Sequence, residues 1–320
     1  MSRATDADGR ELLEGVTVPL VTPIDALGHP DPAAVDEQLA SLAEAGITKL
    51  LLLGTNGEGP AFGASELAEF AAAVTAKWRS RVGGRTVVSV AIFGSSTRQS
   101  MRRAEAVLAK GPDALTVPPP HYFHYDVNEV VGFYRDVASL GSPVIVYNAA
   151  RYTGNPITAP MLQATSQIPG IVGIKDSGGD DGLLLAAVKI AQMHQAFGVS
   201  QGNERRLAWA LEQGASGITP GLANIAPHAC AELVAAVRAG KSDAASTLQA
   251  QLDALAAMHQ IRPGVACMKA ALALLGVSNS SPVPPMRVYS ATEMAALRAL
   301  LASVPIRLIG NRPLSAPHAG

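Results

Sequence analysis

Cysteine is nearly missing from this chain: there are two, Cys230 and Cys267, among 320 residues. Two are too few for a disulfide framework, and both fall in helix-like contexts, which fits a reducing cytosol. Charge is scarce as well. Only 16% of the residues are Asp, Glu, Lys or Arg, and the formal net charge is −1. There is no basic stripe or acidic tail, so neither nucleic acid nor a membrane surface is an expected partner. No apolar run reaches the roughly 18 residues needed to cross a bilayer. Met1 to Glu14 is polar and acidic, without the basic-then-apolar layout of a signal peptide. The expectation is a soluble, cytoplasmic, globular protein.

What the chain does have is apolar residues, 48% of the total, arranged in short runs that alternate with helix-like segments. Strands are expected at Val16 to Leu20, Leu50 to Leu53, Val87 to Ile92, Ala114 to Val117, Pro143 to Tyr147, around Val172 to Lys175, Ala196 to Val199, and Gly217 to Thr219. Between them, helical spacing predicts Asp31 to Ala45, Ser65 to Arg79, Ser96 to Ala109, Asn128 to Leu140, Ala159 to Gln167, Gly182 to Gln192 and Glu204 to Gln213. Strands apolar on both faces, alternating with helices, argue for parallel β-structure with a helical coat. At this length the economical architecture is an α/β protein with a (β/α)₈ TIM barrel over 15–225. A C-terminal helical extension packed on the barrel is expected over 226–306, with helices at Pro227 to Ala239, Asp243 to His259, Val265 to Leu275 and Thr292 to Ala302. Residues 1–14 are expected to form an N-terminal tail and 307–320 a disordered one. A doubly wound sheet shows the same alternation. Its nucleotide-binding version would place a Gly-rich turn after the first strand. Gly54 to Gly59 instead follows the second, and it lacks the lysine of a phosphate-binding loop.

Val172-Gly173-Ile174-Lys175 is the informative strand, because it ends on a lysine whose stem lies in an apolar interior. Desolvation disfavours the ammonium and frees an amine able to attack a ketone. The plainer alternative is a snorkelling lysine paired with Asp176. In a barrel the working groups sit at the C-terminal ends of strands. Those ends supply Thr55 and Asn56, His121 and Tyr122, Tyr147 and Asn148, Lys175, and Thr219. A lysine with tyrosines and a hydroxyl suits carbonyl chemistry, in which an imine draws electrons from the neighbouring carbon and a phenol moves protons. Free N–H groups in the Gly54 to Gly59 turn could hold a carboxylate. Glu58 reads as a first-turn acidic residue at a helix start. His121 and His124, in a Pro-rich loop, read as pocket wall, and no metal site is expected.

Three segments together resemble the signatures of the dihydrodipicolinate synthase/N-acetylneuraminate lyase family. They are Gly54-Thr55-Asn56-Gly57-Glu58, Tyr147-Asn148 with Thr153-Gly154, and Gly173-Ile174-Lys175-Asp176-Ser177 with Gly179-Asp180. The likeness runs from about Val16 to Leu301. It implies a Schiff-base lyase or aldolase without a cofactor, joining or cleaving pyruvate (or another 2-oxo acid) and an aldehyde. By this resemblance Lys175 forms the imine and Tyr147 passes protons. Thr55 links Tyr147 to a second tyrosine, which maps to Tyr122 and in many members reaches into a neighbouring subunit. Thr55 and Asn56 would hold the keto-acid carboxylate, and Ile218 would offer a carbonyl near the imine. A homotetramer is implied as well.

The departures bear on substrate. Where the synthases carry an arginine directly before the Thr-Gly of the tyrosine signature, this chain has Tyr152, with Arg151 one residue earlier. Asn56 stands where a second threonine is typical. These differences favour a 2-oxo-acid aldolase or lyase other than the lysine-biosynthesis enzyme. The alternatives are 4-hydroxy-tetrahydrodipicolinate synthase itself, a hydratase or dehydratase variant, or a silent keto-acid-binding barrel.

Overall fold

A computed structural model of the protein describes residues 8–310. Eight parallel strands close into a barrel in sequence order: β1 (Gly15–Pro19), β2 (Lys49–Leu52), β3 (Val87–Ala91), β4 (Ala114–Val117), β5 (Val144–Asn148), β6 (Ile171–Asp176), β7 (Gly198–Gln201) and β8 (Gly217–Ile218). β8 pairs with β1 through Gly15↔Gly217 and Val16↔Ile218, which leaves no free edge. The helices are α1 (Gly9–Leu13), α2 (Asp36–Glu44), α3 (Ala64–Val82), α4 (Thr97–Leu108), α5 (Val127–Ala138), α6 (Ala150–Thr153), α7 (Ala159–Thr165), α8 (Asp181–Met193), α9 (Leu207–Glu212), α10 (Pro227–Arg238), α11 (Ser242–Ala256), α12 (Met258–Ile261), α13 (Val265–Leu274) and α14 (Ala291–Ser303). The fold is the (β/α)₈ TIM barrel with additional C-terminal helices.

The strands form where both faces find apolar partners. Val18, Leu50, Leu52, Val88, Val90, Val146 and Ile174 pack outward against helices, and α3 contributes Leu67, Phe70, Val74 and Trp78 to the same core. Inside the barrel, one cluster of Leu13, Ala114, Ile145 and Val172 is separate from a second of Leu51, Ala91, Phe93, Tyr147 and Ala149. Leu13 comes from α1, within the segment expected as a tail. Asp8 caps that helix by accepting from Glu11 N–H at 3.1 Å, and Arg10 N–H donates to Ala196 O at 3.2 Å. This short helix therefore seats against β6 and β7 at the end where β6 begins, opposite Lys175. Residues 1–7 and 311–320, with most of the tail expected over 307–320, lie outside the described residues.

Several boundaries differ from the sequence-based expectation, each for a local reason. β7 lies two residues later, at Gly198–Gln201, because its end carries the polar Ser200 and Gln201, which obscure the apolar run. The helix expected over Glu204 to Gln213 opens as a 3₁₀ turn (Glu204–Arg206) before α9. The helix expected over Asp243 to His259 divides at Ala257 into α11 and α12. α6, a single turn closed by the left-handed Gly154, is too short to show a period and escaped the sequence reading. Asn224, just after β8, donates to Pro19 O at 2.9 Å and accepts from Val21 N–H at 3.1 Å. That side chain ties the start of the C-terminal region to the first strand.

Candidate active site

β5 and β6 run in register with Tyr147 opposite Lys175 and Asn148 opposite Asp176. Side chains alternate along a strand, so each pair shares a face. Asn148 and Asp176 bond to each other, with Asn148 Nδ2 donating to Asp176 Oδ1 at 2.7 Å. Gly178 N–H donates to the same oxygen at 2.9 Å. Burial pushes the Asp176 carboxyl above the usual carboxylate range, against the pull of those bonds. Asp176 is thus occupied in fastening the two strand ends, and the snorkelling pair with Lys175 does not form.

Lys175 is 5% exposed and Tyr147 2%. The lysine Nζ lies 3.7 Å from the centre of the Tyr147 ring. The phenol oxygen exchanges a hydrogen bond with the Thr55 hydroxyl at 3.0 Å. Phe93 meets the Tyr147 ring edge-on, with centroids 6.3 Å apart, so the phenol has an apolar wall behind it. Burial alone would raise the phenol's pKa. The charge of Lys175 and hydrogen bonds from Lys175, Thr55 and Ser177 outweigh it and bring the pKa below the ordinary tyrosine value. A phenol that ionises more readily next to an amine can pass a proton in either direction.

Thr55 and Asn56 sit in the loop after β2, held in an uncommon backbone shape. Leu53 and Glu58, neither of them glycine, adopt left-handed φ values of 58° and 54°. The turn is closed by Gly57 N–H to Gly54 O at 3.0 Å and Glu58 N–H to Thr55 O at 3.2 Å. Gly59 must be glycine, since a Cβ there would lie 1.9 Å from Leu53 O. The backbone N–H groups of Thr55 and Asn56 make no hydrogen bond within the described residues, leaving two donors at the mouth of the barrel.

These groups line a cavity of about 520 Å³. Thr55, Asn56, Tyr147, Lys175, Arg151 and Tyr152 all form part of its wall. Arg151, on α6, therefore faces the cavity despite its offset in the loop. The structure does not bring Ile218 or Tyr122 to this wall. Ile218 is fully buried in β8, and its neighbour Thr219 lines the cavity instead. Tyr122 is 82% exposed, because a φ of 90° turns it outward to meet the Phe123 ring edge-on at 5.0 Å. It does not join the Thr55–Tyr147 pair of its own chain. His121 lines an adjoining cavity of about 430 Å³ that shares Thr55, Arg151 and Tyr152 with the first. Burial and the nearby Arg103 lower its pKa.

The sequence reading missed other parts of the wall. Glu204, after β7, accepts from Leu222 N–H at 3.0 Å, and its second oxygen lies 3.3 Å from His259 Nε2. Burial works against a charged His259, but Cys267 and the Glu204 carboxylate raise its pKa to about 10. Nothing local in the sequence signals this pair, since α12 reaches the cavity only through the folding of the C-terminal helices. Gly202 also matters, because a Cβ there would meet Ser177 Oγ at 2.2 Å and Lys175 Cε at 3.4 Å. Glu58 departs from its expected role. It makes no cap hydrogen bond and forms a buried ion pair with Lys269 of α13. Among the described residues no group of three or more His, Cys, Asp or Glu is placed to hold a metal ion, and no helix is long and apolar enough to cross a membrane.

Residues 12–304 match the model of the dihydrodipicolinate synthetase family. An uncharacterized DapA-like lyase of Halobacterium salinarum is 32% identical over 91% of this chain and 94% of its own length. A 4-hydroxy-tetrahydrodipicolinate synthase of Corynebacterium aurimucosum is 33% identical over 88% of this chain and 92% of its own. Among solved structures, a prophage protein of the dihydrodipicolinic acid synthase family from E. coli K12, in complex with pyruvate, superposes with a TM-score of 0.85 at 25% identity. It covers 92% of this chain and 99% of that one. The match spans the barrel, the lysine strand and the C-terminal helices alike, so the chain belongs to the dihydrodipicolinate synthetase family, whose members are lyases and aldolases.

Proposed function

We propose that the protein is a Schiff-base lyase or aldolase that reversibly joins pyruvate, or a related 2-oxo acid, to an aldehyde. The observation that carries this reading is the Lys175 amine, 5% exposed and 3.7 Å from the ring centre of a Tyr147 whose hydroxyl is bonded to Thr55. The amine attacks the ketone carbon, and the resulting carbinolamine loses water as Tyr147 delivers a proton to the departing hydroxyl. The iminium then draws electrons from the adjacent carbon, which loses a proton and attacks the aldehyde carbonyl. Hydrolysis of the product imine returns the free lysine. The Thr55 and Asn56 N–H groups bind the keto-acid carboxylate, orienting the ketone toward Lys175. The electron sink is the imine itself, so the reaction calls for no cofactor. In the same proposal the protein works in the cytoplasm as a homotetramer. Tyr122, exposed on this chain, is then available to a neighbouring subunit.

One observation favours a narrower reading, 4-hydroxy-tetrahydrodipicolinate synthase proper. Arg151 lines the cavity and is available to the carboxylate of aspartate semialdehyde. Borohydride reduction in the presence of pyruvate tests the first reading: a mass increase localised to Lys175 is expected, and an unmodified lysine overturns it. Turnover of pyruvate against a panel of aldehydes tests the second. A preference for aspartate semialdehyde supports the synthase, and turnover of other aldehydes without it refutes that assignment.

A further inference from the structure

The Glu58–Lys269 ion pair takes no part in the chemistry above, yet it joins the carboxylate-binding loop to the C-terminal helices. Both side chains are almost wholly buried, 1% and 2% exposed respectively. Lys269 projects from α13 and also donates to Ser281 O at 2.7 Å. The other Glu58 oxygen accepts from Val283 N–H at 2.7 Å. One carboxylate thus fastens α13 and the 281–283 segment to the loop that ends in Glu58.

Two facts make this more than cement for the fold. The first is backbone shape. Leu53 and Glu58 bracket Thr55 and Asn56, and both hold left-handed φ values that persist only where the surroundings impose them. The loop's own hydrogen bonds, 3.0 to 3.3 Å long, join Gly54–Gly59 to itself and do not tie it to the C-terminal helices. The second is energetic direction. A buried carboxylate and ammonium are each expensive to desolvate, so they tolerate few arrangements besides the one in which they meet. The loop is therefore pinned at Glu58, two residues from the free N–H of Asn56 and three from the hydroxyl that holds Tyr147.

We propose that Lys269, acting through Glu58, is a positioning residue for the substrate carboxylate: it holds the 54–59 loop so that the Thr55 and Asn56 N–H groups and the Thr55 hydroxyl face the cavity. The proposal rests on the reading of Lys175 as the imine-forming lysine. It assigns a catalytic consequence to a residue of the C-terminal region that touches no substrate. Loosening the loop weakens capture of the keto acid first and proton transfer second.

The test uses the full-length protein with Lys269→Met and Glu58→Gln. The quantity read is the pyruvate concentration that gives half-maximal borohydride adduct at Lys175, alongside the melting temperature and the separate kcat and KM. A rise of about tenfold or more in half-saturating pyruvate is expected in both variants, with KM changing more than kcat. A lower melting temperature with wild-type half-saturation would show a purely structural pair and overturn the inference. If Lys269→Met does not fold, Glu58→Gln keeps the side-chain volume and the acceptor for Val283 N–H, and a wild-type value in that variant overturns it equally. Wild-type protein that forms no adduct refutes the imine reading itself. An adduct in the wild type with unaltered variants refutes only the role of the pair.

Discussion

Replacing Tyr147 by Phe removes one oxygen and leaves the ring against Lys175 and Phe93, so the change isolates the phenol. A positioned proton-transferring group contributes about 10²–10⁴-fold to rate, which is about 3–5 kcal/mol of barrier at 1.36 kcal/mol per decade. The structural loss is smaller. The phenol's hydrogen bond to Thr55, at 3.0 Å, is worth about 1 kcal/mol net. A loss of that size moves the melting temperature of a chain of 320 residues by only about 1–2 °C. The expected outcome is therefore a drop in kcat of about 10²–10⁴-fold with the fold retained, while the Lys175 adduct still forms with pyruvate, only more slowly. Thr55→Val should lower kcat by about tenfold, the value of one hydrogen bond to the phenol. If Thr55 acts through Tyr147, the double variant should be no slower than Tyr147→Phe alone. Steady-state turnover with pyruvate and the preferred aldehyde, together with trapping, measures all three. A wild-type kcat for Tyr147→Phe, or independent multiplicative losses in the double variant, would refute the proton-transfer reasoning.

Lys175→Met should abolish the borohydride adduct and turnover. Its melting temperature should not fall, because the thioether fills the amine's apolar site without a charge to desolvate; surviving turnover would point to another nucleophile. Gly202→Ala should lower activity and slow adduct formation, since its Cβ would lie 2.2 Å from Ser177 Oγ and push that side chain aside next to Lys175; unaltered kinetics would show that Ser177 yields freely. His259 gives a pH prediction. Its folded pKa, raised to about 10, lies above the ordinary 6.5, so its contribution to stability is complete below about pH 6.5 and is lost as pH rises through about 10. Melting temperature should fall across that window in the wild type, and His259→Gln should flatten the fall; an identical profile in both proteins would show that the Glu204–His259 contact carries no stability.

Much of the fold was legible because its cause is repetitive. Eight strands buried on both faces must read as apolar runs, and helices that cover them must repeat near 3.6 residues. Strand ends likewise put Lys175, Tyr147, Tyr122 and the Gly54 to Gly59 turn among the candidates, since barrels place working groups there, and the family resemblance singled out Tyr147. Where the local pattern was overruled, a contact from elsewhere in the chain was responsible. Residues 9–13 looked like tail until the end of the barrel seated them, and the polar end of β7 belongs to the sheet because Ser200, opposite Lys175, bonds to the Thr219 hydroxyl.

The amino-acid sequence by itself determined which strand carries the lysine and that Tyr147 ends the strand before it; that the two stand side by side was decided by the register in which those strands pair. Only the tertiary structure decided what faces the cavity. It brought Arg151 into the wall and turned Tyr122 out through a positive φ. It also carried His259 to Glu204 and Lys269 to Glu58 across long stretches of chain. Periodicity reports a side chain's environment along its own element, whereas these contacts depend on how separate elements pack and on backbone angles that residue type alone does not set.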